Sequence, residues 1–415
     1  MELKISHPCP SCGGPINMDE MDRLTTCAFC DVQNYMVDSG LLRYVLTENV
    51  PVRIPREDVF YLPYLRFKGN IFSCRGRALD YRVLDTTHQG IRSHEIPVSL
   101  GLRPQAMRLV AANRGHVGKF VIRKDTAVKI MQRAAKLTEQ GSGGPEAPLY
   151  HRAFIGESVS CIYLPVYTEK GRVYDGVLNR PLGRMEAWIR DSRMTVRYRP
   201  EWDPRFIAAI CPQCGAVMEG SSDSLILQCF NCHSCCAEKG GKFVLVPYTF
   251  VASEKKDPLF LPFWRLEIKA TGLVMNSFAD FLKITNQPVV INRKHRERDM
   301  EFWIPAFKIR PKIFLKLAKS ATLLQIRFPE GEKKLHRSLF PVTLPLKEAT
   351  QAMKSVVAET TLNKKEVISQ LPSLSFTIRR NSLVFLPFED TGHDLVQEHA
   401  PFSIASSVIK SGRNL

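Results

Sequence analysis

The sequence predicts an α+β fold, strand-dominated and internally duplicated, each half opening on a four-cysteine unit and continuing as a β-rich body with one or two helices. Three observations carry this expectation. The pattern C-P-x-C-G followed by C-x-x-C, with 14 residues between the inner cysteines, runs from Cys9 to Cys30 and again from Cys211 to Cys232, 202 positions later. An apolar stretch built around Leu-Pro follows each set, Tyr61-Leu62-Pro63-Tyr64-Leu65-Arg66-Phe67 answering Phe260-Leu261-Pro262-Phe263-Trp264-Arg265-Leu266 at an offset of 199. Farther on, Ile162-Tyr163-Leu164-Pro165-Val166 answers Val384-Phe385-Leu386-Pro387-Phe388 at an offset of 222. Self-similarity on this scale marks a repeated structural unit, so the chain reads as two copies, about 1–200 and 201–415, with roughly 20 residues inserted in the second.

Length and composition agree. A chain of 415 residues exceeds what one hydrophobic core usually supports. Apolar residues at 44% and charged ones at 24% are globular proportions and exclude wholesale disorder. No run approaches 18 apolar residues; the richest, Phe260 to Trp264, is strand-sized and contains proline, so no membrane span is expected. The N-terminus lacks an apolar leader core and runs directly into Cys9, which points to the cytoplasm.

Each half begins with its cysteines. Eight of the 12 fall into four C-x-x-C pairs, Cys9/Cys12 with Cys27/Cys30 and Cys211/Cys214 with Cys229/Cys232, a spacing that favours a metal over disulfides. Two intervening residues let both sulfurs of a knuckle reach one ion while backbone N–H groups point at them. Gly13 and Gly215 suit the tight turn after each first knuckle. These residues resemble the zinc-ribbon family, and the resemblance covers about 22 residues in each half. It implies two small antiparallel β units, each clamped by a structural Zn²⁺, and no particular function. Iron of the rubredoxin kind also uses such knuckles. Ribbon followed by Φ-L-P-Φ-W/L-R is also similar to uncharacterised bacterial zinc-ribbon proteins, a likeness that implies no activity. His233, Cys235 and Cys236 come directly after the second ribbon and read either as spare surface thiols with a neighbour or as further metal ligands. Cys74 and Cys161 are isolated and expected to be buried.

The bodies come next, giving an order of ribbon 1–40, body 41–200, ribbon 201–240 and body 241–415. Beyond Pro63 and Pro262 the alternation sets Leu65 and Phe67, or Trp264, Leu266 and Ile268, opposite Arg66 and Lys68, or Arg265, Glu267 and Lys269, as in half-buried strands. Lacking N–H groups, the two prolines are expected at strand starts or sheet edges. Asp125 is positioned to cap a helix whose Ala127, Ile130, Met131, Ala134 and Leu137 form a core stripe. The matching helix opens near Pro345 with Leu346, Ala349, Met353, Val356 and Val357 inward. Gln140 to Pro148, rich in glycine, reads as a flexible loop.

The net charge of +17 raises nucleic acid or an anionic surface as a partner, but its distribution matters more. Residues 1–40 sum to −4 and 201–240 to −3, against +13 for 41–200 and +11 for 241–415. The ribbons are therefore poor phosphate grips, and nucleic acid would fall to the bodies. Arg193, Arg197 and Arg199 read as one face of an alternating strand, and Arg293, Lys294 and Arg296 as a charged loop in the insertion; these six are the candidate nucleic-acid contacts. Lys312, Lys316 and Lys319 read as a wet helix face. H-E-x-x-H, G-x-x-x-x-G-K-[ST], G-x-S-x-G and the dinucleotide glycine fingerprint are all absent, and the pairs His88/His94 and His393/His399 stand where loops are expected. The expectation is a non-enzymatic zinc protein acting as a cytoplasmic scaffold for protein partners, with nucleic-acid binding through the basic bodies, or an enzyme with ribbon appendages, as alternatives.

Overall fold

The computed structural model describes residues 4–37, 40–137, 147–185, 191–285, 287–325 and 334–411. Nearly all of the loop expected between Gln140 and Pro148 lies outside them. The chain is α+β and strand-dominated, and no helix among the described residues is long and apolar enough to cross a membrane. It forms two compact units: Met1–Lys68, Leu84–Glu139 and Ser158–Ala208 make the first, and Gly69–Val83, Gln140–Glu157 and Ala209–Leu415 the second.

Most strands of the first unit belong to a nine-stranded sheet in which Phe60–Arg75 pairs with Leu149–Glu169 and, in parallel, with Lys119–Val121. Leu42–Leu46 runs parallel to Leu149–Glu169, with Tyr44 opposite Ile162. Consecutive residues of the two Leu-Pro strands go to opposite faces, and both faces are covered. Leu62, Tyr64, Ile162 and Leu164 enter one apolar cluster, and Tyr61, Leu65, Cys161 and Tyr163 the other. The expected half-burial therefore fails here: Arg66 is only 8% exposed. Its guanidinium forks onto Asp85, Nε to Oδ1 at 2.9 Å and Nη2 to Oδ2 at 2.7 Å, and reaches Glu20 Oε2 at 3.1 Å, tying the first cysteine unit to its body.

In the second unit the sheet order is Glu301–Pro305, Leu259–Thr271, Ser375–Asp390, Asp394–Gln397, Ser403–Ala405, with Tyr248–Phe250 running parallel to Ser375–Asp390. Here alternation holds from Arg265 onward, with Arg265 and Glu267 half-buried and Lys269 exposed. Helices Pro311–Leu324 and Leu346–Thr360 pack into the same core as this sheet, Thr322 Oγ1 accepting from Trp303 N at 3.0 Å. Lys312 and Lys316 face solvent as expected. Phe72, Cys74, Ala153 and Ile155, from early in the chain, enter this core, and Gly156 N donates to the buried Glu348 carboxylate at 2.5 Å.

Pro63 and Pro262 lie inside central strands, not at starts or edges. In the second unit the strand beside Pro262 ends at Pro305, so the missing N–H points past that strand's end. The proline carbonyls accept from Ala306 N at 2.9 Å in the second unit and from Gly90 N at 2.7 Å in the first. Helix Ala127–Leu137 is capped not by Asp125, whose carboxylate takes ion pairs from Arg92 and Arg133, but by Thr126, whose Oγ1 accepts from Lys129 N at 3.4 Å. Of its expected inward stripe, Ile130, Met131 and Ala134 are buried and Ala127 is half-buried, while the Leu137 side chain lies outside those described.

Replacing Arg66 by Met should lower unfolding free energy by about 2–3 kcal/mol in urea titrations, less than the ~3–5 kcal/mol of a fully buried pair because Asp85 is partly wet. Desolvation pushes the Asp85 carboxyl up, but Arg66 outweighs it and holds the group below the usual range. A depressed folded-state value means that this stabilisation is complete above about pH 4 and is lost as acidification passes through the lower folded value, a loss absent from the Met variant.

Candidate metal centres

Both cysteine sets are assembled by the same local hydrogen bonds. In the first, Cys9 N donates to Gly14 O at 2.7 Å and Gly13 N to Cys9 O at 2.8 Å, closing a turn between the paired strands Lys4–Pro8 and Pro15–Asp19. In the second, Cys211 N reaches Ala216 O at 2.8 Å and Gly215 N reaches Cys211 O at 3.0 Å. Gly13 and Gly215 have φ of 77° and 76°, a left-handed conformation that glycine adopts without steric cost. The other knuckle of each set closes with a non-glycine residue in that conformation, Asp31 at φ 55° and His233 at φ 53°, a pairing that the cysteine spacing did not reveal.

The four sulfurs of each set lie within 4.8 Å of one another. Cys9 Sγ is 3.8 Å from Cys30 Sγ and Cys12 Sγ 3.6 Å from Cys27 Sγ; in the second set Cys211–Cys232 is 3.6 Å and Cys214–Cys229 is 3.4 Å. A disulfide requires about 2.05 Å. A tetrahedron with metal–sulfur bonds of about 2.3 Å has sulfur–sulfur edges of about 3.8 Å, so the donor sets fit a four-coordinate ion such as zinc. One cysteine in each set, Cys12 and Cys214, is exposed and the others are largely covered, which leaves an entry path. Desolvation opposes ionisation of Cys9 and Cys211. Backbone N–H groups and neighbouring thiols nevertheless bring both down to about 6, with the Ser234 hydroxyl helping at Cys211.

The groups behind the sulfurs differ. Asn34, fully buried, donates Nδ2–H to Cys9 Sγ at 3.7 Å and to Val32 O at 2.9 Å. At the equivalent place 202 positions on stands Cys236, 3.9 Å from Ser234 Oγ, which itself lies 3.5 Å from Cys211 Sγ and 3.1 Å from Cys232 Sγ. Cys235 and Cys236 are not surface thiols: both are buried, Cys235 against the apolar core, and burial pushes Cys236 up to about 11. Neither joins the sulfur cluster, and His233 Nδ1 accepts from Leu335 N at 3.4 Å. Cys74 and Cys161 are buried as expected.

The candidate nucleic-acid residues are exposed but differently built from expectation. Arg193 to Arg199 do not form one strand; a 3-10 turn at Ser192–Met194, a two-residue strand Thr195–Val196 and a second 3-10 turn at Pro200–Trp202 share the segment. Asp191 causes the first turn, accepting from Arg193 N at 3.0 Å and pairing with its guanidinium at 3.0 and 3.1 Å. Arg293, Lys294 and Arg296 stand on a short helix, Arg293–Glu297, not a loop, because Asn292 and His295 form a reciprocal cap and Arg293 pairs with Glu297 at 2.6 Å. His88 is a buried strand residue while His94 is exposed, and His399 is held by Ala252 O at 2.8 Å. No family model, curated protein or solved structure matches the chain.

Asn34→Ala removes the N–H···S bond and should weaken metal retention at the first centre roughly 10–100-fold. A chelator competition that resolves two steps should show only one of them shifted.

Proposed function

We propose that the chain is a non-enzymatic zinc protein, a scaffold in which two structural Zn²⁺ ribbons anchor two β-rich bodies derived from one duplicated unit. The observation that carries this reading is the pair of four-sulfur clusters, each with all sulfurs within 4.8 Å and two edges at 3.4–3.8 Å. Four thiolates leave no open coordination position for substrate or water, which suits a structural ion. Twelve cysteines without a disulfide suit a reducing, cytoplasmic setting.

Duplication draws support from matched details. Tyr44 runs parallel to Ile162 in one unit, as Thr249 does to Val384 in the other. The parallel pairing of Tyr61 with Phe120 is answered by Phe260 with Leu339, and the Arg66–Asp85 ion pair by Arg265–Glu301. Gly176 N donates to Pro165 O at 2.8 Å, and Glu398 N lies 3.4 Å from Pro387 O.

A protein partner is favoured at the second ribbon, where Ile210 and Val217, in the acidic segment, and Val244 and Leu245, on the strand Lys242–Leu245 that pairs with Ser234–Lys239, are exposed at 40–55%. A second reading, nucleic-acid binding by the bodies, is favoured by the exposed Arg197 and Arg199.

Elemental analysis of the full chain should find two zinc ions without visible iron–thiolate absorption. Cys27→Ser and Cys229→Ser should each leave about one and unfold the local ribbon. Zinc uptake should release protons and weaken as pH falls, because thiols must ionise to bind. Fewer than two metals in the parent chain, or unchanged stoichiometry in both variants, overturns the assignment. Ile210→Asp with Leu245→Asp should abolish co-purification of a stoichiometric protein partner; a partner retained in full by this variant removes the ribbon as the docking surface.

A further inference from the structure

We propose that the surface of the first unit around Tyr198 and Trp202 binds single-stranded nucleic acid, its phosphates on Arg114, Arg197 and Arg199 and a base against the Arg43–Trp202 stack. This rests on the nucleic-acid reading and assigns that reading a site and a strandedness.

The platform is rigid. The rings of Tyr198 and Trp202 are both half-buried and meet at 5.5 Å and 90°. The buried Phe120 supports both from beneath, at 6.0 Å and 5.4 Å. Tyr198 is fixed at its far end, its hydroxyl donating to Asp203 Oδ1 at 2.5 Å. Arg43 lies with its guanidinium carbon 4.7 Å from the Trp202 ring centre while Nη1 donates to Leu41 O at 2.9 Å, so the guanidinium is held on the indole. A guanidinium beside an aromatic ring offers an unstacked base both a cation and an aromatic face to lie against.

Exposed guanidiniums neighbour this platform along the chain. Arg197 and Arg199 flank Tyr198 in sequence and are exposed, and among the described residues neither makes an ion pair. Arg114, three-quarters exposed, stands 4.0 Å from Asp203. The local acids are Asp203, engaged with Tyr198 and Arg114, and the exposed Glu201, so the guanidiniums are in excess. Arg193 is left out because Asp191 already grips it. Duplex nucleic acid offers phosphates but keeps its base faces stacked away, so a platform combining guanidiniums with an aromatic stack selects the single strand.

The test is fluorescence anisotropy of the full zinc-loaded chain with a labelled oligothymidylate of about 15 nucleotides. Arg197→Glu with Arg199→Glu touches only exposed side chains; it should weaken binding at least tenfold and lower the magnitude of the log-affinity against log-salt slope by roughly 1.4, at about 0.7 per phosphate contact. Trp202→Ala should weaken binding roughly tenfold with little change in that slope, since it removes stacking and no charge. Affinity unchanged in the double arginine variant overturns the site while leaving nucleic-acid binding by the bodies standing. No binding by the parent chain overturns both. Equal competition by duplex DNA overturns the stacking assignment, and displacement by phosphatidylserine vesicles at matched charge reassigns the surface to a membrane.

Discussion

Four sulfurs gathered within 4.8 Å of one another, with two pairs in each set at 3.4–3.8 Å, are the constraint on which both cysteine units depend. At that separation they are too far apart for covalent bonding, and as thiolates they would repel one another. Two or three hydrogen-bonded turns of backbone cannot hold such a cluster by apolar burial, since the first ribbon's own cluster comprises little beyond Cys9, Ile16, Cys27 and Cys30. With an ion bound, a small unit of this kind would take most of its folding energy from the metal–sulfur bonds. The first ribbon is tied to the body by the Glu20–Arg66–Asp85 network and by Met18 and Met36, which enter the body's apolar cluster.

The four-cysteine sets were legible in the sequence because each cysteine is placed by a short local turn, closed by Gly13 or Gly215 at the first knuckle and by Asp31 or His233 at the second. The supports behind the sulfurs were not legible. Asn34 and Cys236 matter through what they touch across the ribbon, and nothing in the cysteine spacing marks a second row. Cys236 reads as a spare thiol until its burial is known.

Alternation in the bodies was legible as strand and misleading as exposure. Arg66 falls on the polar side of a period-two pattern, yet a second apolar cluster covers that side, and two carboxylates from elsewhere in the chain neutralise it. Long-range neighbours of this sort leave no local trace. Conversely, Arg193 to Arg199 alternates in sequence yet holds only the two-residue strand Thr195–Val196, because the Asp191 cap and Pro200 bend the backbone into turns at both ends. The motif repeat was readable along the chain, whereas the membership of the compact units was not: segments 69–83 and 140–157 precede the second cysteine set and still cluster with residues 209–415.

That last arrangement limits how the polypeptide can be divided. A fragment beginning at residue 209 carries the second ribbon and all six strands of the later sheet, yet it lacks Phe72, Cys74, Ala153 and Ile155, which line the same interior. It would emerge from a ribosome with an uncovered wall. A break just before the second cysteine set therefore does not fall between compact units, and the later portion needs Phe72, Cys74, Ala153 and Ile155 to complete its interior.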